Sequence, residues 1–180
     1  MADVQAAKRY ASAAFELATE AGTTDSIAHW RADLADVATV LTSSDAATLL
    51  ADGRVPLEDR LKMVERILDI QPLALNLAKL LISKGRTRDA GAVADAFNRM
   101  ADDQAGIAHA TVTTAVALTE EQRRGIEQQL STRLGKTVRA VALVDPALIG
   151  GIIVRVGDKL VDGSVRTRLR MLRRELEGAF

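Results

Sequence analysis

Apolar side chains recur every three or four residues up to about residue 105 and every second residue after it. The first regime predicts helices. An Ala-rich segment over 4–21 closes at Gly22, and Thr24 or Asp25 is placed to cap a second helix whose stripe runs Ile27, Trp30, Leu34, Val37, Leu41. Ser43, Ser44 and Asp45 open a short helix through Leu49 and Leu50, which Gly53 closes. Pro56 sits where a first helical turn tolerates proline and is followed by Leu57, Leu61, Val64 and Leu68 on one face. Pro72 repeats the device ahead of Leu73 to Ser83, and Thr87 or Asp89 starts a last helix through Val93, Phe97 and Met100. Six helices on short loops predict a compact bundle. The fifth leaves only Asn76, Lys79 and Ser83 polar, so it is either central to the bundle or covered by something else.

The second regime begins with Ala110, Val112, Thr114, Val116 and Leu118 alternating with smaller or polar residues, which predicts a strand. Thr119, with Gln122 three residues on, forms a capping box for a helix carrying Ile126, Leu130 and Leu134 and ending at Gly135. Strands are expected over Val138–Val144, Gly151–Val156 and Lys159–Val161, with a hairpin turn at Gly157-Asp158. Asp162 or Ser164 caps a terminal helix whose stripe of Val165, Leu169, Leu172 and Leu176 is expected to turn inward. The fold expected is α+β overall: a six-helix bundle over residues 1–105, then a small α/β domain over 106–180 with a short sheet and a terminal helix. The second part is near the lower size limit for independent stability.

Composition sharpens this picture by exclusion. Tyr10, Phe15, Trp30, Phe97 and Phe180 are the only aromatics among 180 residues, so the core is aliphatic. There is no cysteine, which removes disulfides, thiolate chemistry and cysteine-based zinc sites. No apolar run approaches the roughly 18 residues of a membrane span, and the first ten residues lack the basic start and apolar middle of a secretory signal, so a cytoplasmic location is expected. The net charge of zero divides unevenly: residues 1–105 carry 12 basic and 16 acidic side chains, and residues 106–180 carry 12 and 8. Two parts with different partners would show such a split, and so would one Arg-rich helix alone.

The candidate chemistry is thin. Gly150-Gly151 leads into a strand, not into the Lys-Ser/Thr and helix of a phosphate loop, so a bulge or close backbone approach is the better reading. Asp145, Asp158 and Asp162 lie beside Pro or Gly, where Asp bonds its own backbone, and lack the alternating oxygen ligands of a calcium loop. His29 and His109 fall in different parts, with no metal-ligand spacing around either. Arg166, Arg168, Arg170, Arg173 and Arg174 sit in a chain with neither the overall net positive charge nor the stacking aromatics of a nucleic-acid binder, which leaves a solvated or protein-facing surface. No catalytic, cofactor-binding or metal residue is assigned, and no enzyme activity is expected.

Three stretches carry a family resemblance. Ala7-Lys-Arg-Tyr-Ala-Ser-Ala-Ala-Phe-Glu-Leu-Ala18, then Asn76-Leu-Ala-Lys-Leu-Leu-Ile-Ser-Lys-Gly-Arg86, are followed by the most specific one. In the last, Leu148, Gly150, Gly151, Ile153, Val156, Gly157, Asp158, Asp162, Gly163, Ser164, Val165 and Arg166 keep their order. Together they resemble the delta subunit of F-type ATP synthases, which is similar to the mitochondrial oligomycin-sensitivity-conferring subunit.

The resemblance implies a non-catalytic stator subunit, present in one copy in a hetero-oligomeric complex, that ties the catalytic head to the peripheral stalk. It implies that the N-terminal helix of an alpha subunit binds between the first and fifth helices, at Tyr10, Ala13, Ala14, Leu17, Leu77, Leu80 and Leu81. It places the C-terminal end of the b-subunit stalk against the second part, where Arg166, Arg170 and Arg173 are the expected contacts, with Gly150, Gly151, Gly157, Asp158, Asp162 and Gly163 as structural turns. The location implied is peripheral, on the cytoplasmic face of the plasma membrane, with no cofactor, no nucleic acid and no direct membrane insertion. The alternative is a free-standing adaptor that binds amphipathic helices.

Overall fold

The structure, a computed structural model, describes residues 4–20, 22, 24–42 and 45–177. The chain divides into two compact units, residues 1–101 and 102–180. The first contains α1 (Val4–Glu20), α2 (Thr24–Thr42), α3 (Ala46–Ala51), α4 (Leu57–Ile67) and α5 (Pro72–Ser83), and α6 (Ala90–Gln104) begins in it. Ala7, Ala11, Ala14 and Ala18 line the buried side of α1 and let α2 and α5 approach closely. From α2 the stripe Trp30, Leu34, Val37 and Leu41 is buried as expected. The Trp30 ring lies over Phe97 with centroids 6.2 Å apart, and Phe15 meets Phe97 edge-on at 5.7 Å. These rings anchor a core whose other buried hydrophobic residues are alanine, valine, leucine and isoleucine.

Several boundaries shift. A 3₁₀ turn, Thr87–Asp89, precedes α6, so that helix starts at Ala90 and not at Thr87 or Asp89. Thr87 and Asp89 are buried there, and the Arg86 guanidinium lies 3.9 Å from the Asp89 carboxylate. Pro56 stands one residue ahead of α4, and Leu68 turns extended after it to bury its side chain. The short α3 ends at Ala51, before Gly53. Ser43, Ser44, Phe180 and the Thr24 side chain lie outside the described residues.

The second unit holds β1 (Ile107–Thr114), α7 (Glu120–Leu134), β2 (Thr137–Val144), β3 (Ile152–Val156), β4 (Lys159–Asp162) and α8 (Val165–Glu177). The sheet order is β2-β1-β3-β4, with β1 parallel to β2 and antiparallel to β3. A β-α-β crossover through α7 is what a parallel neighbour requires. Alternate residues Ala108, Ala110, Val112, Val138 and Ala140 face α7, packing with Ile126, Leu130 and Leu118. The capping box is formed in full: Gln122 N–H donates to Thr119 Oγ1, and Thr119 N–H donates to the Gln122 side chain. The first strand differs from expectation, running over 107–114 and not 110–118. The Thr114 hydroxyl donates to the Val116 carbonyl at 2.7 Å and turns the chain, which leaves Val116 exposed and drops Leu118 into the core. At the start of this unit, His109 Nε2 meets the buried Asp102 carboxylate at 2.6 Å.

The glycine pair closes the unit. Val165 N–H donates to the Gly150 carbonyl and Gly163 N–H to that of Ile152, which brings the turn before α8 against the turn before β3. The Asp162 carboxylate accepts from Ser164 N–H at 2.9 Å and from the Thr167 hydroxyl at 2.7 Å, while Ser164 Oγ accepts from Thr167 N–H. The Ser164 amide, then the Thr167 hydroxyl, holds the Asp162 carboxyl below its ordinary value of 3.8. A depressed folded-state pKa contributes stability that is present above that ordinary value and is lost as pH falls through the folded one. Asp162→Asn should therefore lower the melting temperature of this unit at neutral pH. The gap from the native protein should narrow only below the ordinary value of 3.8, which melts run across an acid pH series would show.

Candidate partner-binding surfaces

The seam between α1 and α5 gathers the seven residues expected there into two layers. Ala14 and Leu81 are fully buried core positions. Tyr10 and Leu77 are half-buried, Ala13 is exposed, and Leu17 and Leu80 remain 40% and 41% exposed. Tyr10, Ala13 and Leu17 follow helical spacing along α1, and Leu73, Leu77 and Leu80 do so along α5. The excess of apolar residues on α5 is thus divided. Ala74, Ala78, Leu81 and Ile82 face the core, while Leu73 and Leu80 reach solvent. Lys79 Nζ lies 2.5 Å from Glu65 Oε1 and fixes α5 against α4. A small-residue line beside projecting leucines is a surface that a helix of another chain can approach closely.

In the second unit, Arg166, Arg170 and Arg173 are exposed on α8 at spacings of four and three. The expectation that the apolar stripe of α8 turns inward is corrected. Val165 is half-buried and packs on Gly150, but Leu169, Leu172 and Leu176 are each more than half exposed. The reason is topological: α7 already covers the sheet core, and α8 packs at its start on the 3₁₀ turn Pro146–Leu148. Sequence periodicity reports that a helix has an apolar face, not that its own chain covers it. Val141, Leu143 and Leu160, half or more exposed, lie on the sheet face opposite α7, in register with Thr111, Thr113 and Arg155. Alternating residues gave no sign that this face stays open. The turn residues serve as geometry: Gly150, Gly151 and Gly163 at the close approach, Gly157 and Asp158 between β3 and β4, and Asp162 at the α8 cap.

Among the described residues no cluster of three His, Cys, Asp or Glu side chains could hold a metal ion. Nor is any described helix long and apolar enough to cross a membrane.

The family model for the ATP synthase delta (OSCP) subunit matches residues 6–176. The chain belongs to that family. It is 36% identical over 170 residues to the ATP synthase subunit delta of Dehalococcoides mccartyi, covering 94% of this chain and 93% of that one. It is 38% identical to the subunit delta of Symbiobacterium thermophilum, covering 96% and 93%. Its fold is similar to a chain of the Toxoplasma gondii mitochondrial ATP synthase hexamer, with a TM-score of 0.67 at 24% identity, covering 94% of this chain and 96% of that one. The protein is therefore a non-catalytic stator component of the F-type ATP synthase, peripheral to the membrane and partnered with other subunits of the complex.

Proposed function

We propose that the α1–α5 seam binds the N-terminal helix of an alpha subunit, and that the second unit meets the C-terminal end of the b-subunit stalk. One copy then joins the catalytic head to the stalk at the cytoplasmic face of the plasma membrane. The observation that carries the reading is the pair of uncovered apolar surfaces, one on each unit: Leu17 and Leu80 on the first, Leu169, Leu172 and Leu176 on the second. A stator needs such a pair and no chemistry. Rotation of a central shaft drags the head unless something holds it from outside, and the tether needs only slow dissociation under load. Purification through a tag on this chain should bring alpha, beta and b chains with it. Recovery of the chain without them would favour the free-standing adaptor.

The arginines of α8 border its apolar stripe, so they form the rim of the stalk contact. Arg166→Glu with Arg170→Glu should slow association with a fragment of the b stalk about tenfold at low salt, with the difference shrinking as salt rises. Binding of a peptide from the alpha N-terminus should not change. Stalk kinetics unaltered at low salt would leave these arginines as a solvated face and the contact to the leucines alone.

A further inference from the structure

The outer edge of the sheet is closed by side chains, and only along half its length. β2 is an edge strand, and its odd-numbered amides point inward: Thr137 N–H donates to the Gly106 carbonyl, and Asp145 N–H to that of Thr114. The even-numbered amides therefore point out of the sheet, where a free edge would display them to any passing strand. Two of them are already taken by α7. Val138 N–H donates to Ser131 Oγ at 3.0 Å, and Ala140 N–H donates to Glu127 Oε1 at 2.8 Å. The Glu127 carboxylate is held in place by Arg123 at 2.8 Å, and Ser131 in turn donates to the Glu127 backbone carbonyl.

We propose that Glu127 and Ser131 are an edge lock: they occupy the strand-pairing positions of β2 and keep a second copy of this chain from adding to the sheet there. Beyond the lock the strand reads Val141-Ala-Leu-Val144, with Val141, Leu143 and Val144 exposed. Four residues are too few to pair stably, since even a two-stranded hairpin is marginal in water. With the lock removed, the open edge lengthens to the seven residues Val138–Val144, which are rich in β-formers and contain a single charge, Arg139. Two such edges are self-complementary about a two-fold axis and make an isologous dimer. A subunit that takes one place in an asymmetric machine has reason to suppress that pairing. The inference rests on the strand edge alone and not on which partner the stator surfaces bind.

The test is Glu127→Ala with Ser131→Ala in the full chain, followed by sedimentation velocity over a concentration series. The native protein should stay monomeric, and the double variant should self-associate with a dissociation constant at least about tenfold lower. Adding Ala142→Pro to the double variant should restore the monomer. The Ala142 amide points outward, so proline there blocks pairing without removing a ladder bond. A folded double variant that stays monomeric overturns the proposal, as does association that persists with Ala142→Pro. If the double variant fails to fold, amide exchange in the native chain decides: Val138 and Ala140 must be protected well beyond Ala142 and Val144, and equal exchange at all four refutes the lock.

Discussion

Gly151→Ala should cost the second unit about 3 kcal/mol, from a left-handed backbone penalty of roughly 1–2 kcal/mol and forced packing of roughly 1–3 kcal/mol. The residue sits at φ +80°, and a Cβ built on it would lie 2.4 Å from the Gly163 carbonyl oxygen and 3.0 Å from Ser164 Cα. The nearest atoms it meets are all backbone of Gly163 and Ser164, so no flexible side chain can give way. At roughly 0.05–0.15 kcal/mol per residue, a unit of this size holds about 4–12 kcal/mol in all, so the loss is a large share. Gly157→Ala is the internal control. Its φ is +55° but nothing lies within 4 Å of the added carbon, so only the left-handed backbone penalty of roughly 1–2 kcal/mol applies. Denaturant melts should rank the native protein above Gly157→Ala, and Gly157→Ala above Gly151→Ala. Amides of residues 4–100 should keep their exchange protection in both variants. Equal losses at the two glycines would show that the close approach has no energetic role.

The second large effect is expected at the α1–α5 seam. Leu17→Glu with Leu80→Glu should weaken binding of a peptide from the alpha N-terminus by about 3 kcal/mol, roughly a hundredfold, because two partly exposed leucines lose their burial and two carboxylates enter an apolar contact. Both side chains keep about two-fifths of their surface in solvent, so the melting temperature of the first unit should move little. That separation between binding and stability distinguishes a docking surface from a core. Ala14 and Leu81 cannot serve for this test, since they are buried and their substitution disturbs packing first. Isothermal titration with the peptide settles the point, and an affinity unchanged in the folded double variant removes the seam as the site.

What the sequence revealed follows from how local each signal is. The box at Thr119 and Gln122, the caps around Asp162 and the stripe on α2 are set by residues within a turn or two of one another, and each formed as read. The double glycine announced a close approach but not its partner, since Gly163 is 12 positions on and only the folded turn brings its carbonyl near. For α8 the stripe was legible and its direction was not. Whether Leu169 and Leu172 face their own core depends on what α7 already covers, which is a property of the topology. The same holds for Glu127 and Ser131. On α7 they read as ordinary polar positions of a solvated helix, and only the parallel placement of β2 beside β1 shows that they cap an edge. Among the expected groove residues, the family resemblance grouped Ala14 with Ala13 and Leu81 with Leu80, although one of each pair is core and the other surface.

Native mass spectrometry of a three-component mixture tests most directly whether one chain bridges two partners through separate surfaces. The full chain, a peptide from the alpha N-terminus and a fragment from the C-terminal end of the b stalk should form a ternary complex holding one copy of this chain. Leu17→Glu with Leu80→Glu should remove only the peptide, and Leu169→Glu with Leu172→Glu only the stalk fragment. Mutually exclusive binding, or a complex that either double variant abolishes entirely, would contradict the bridge.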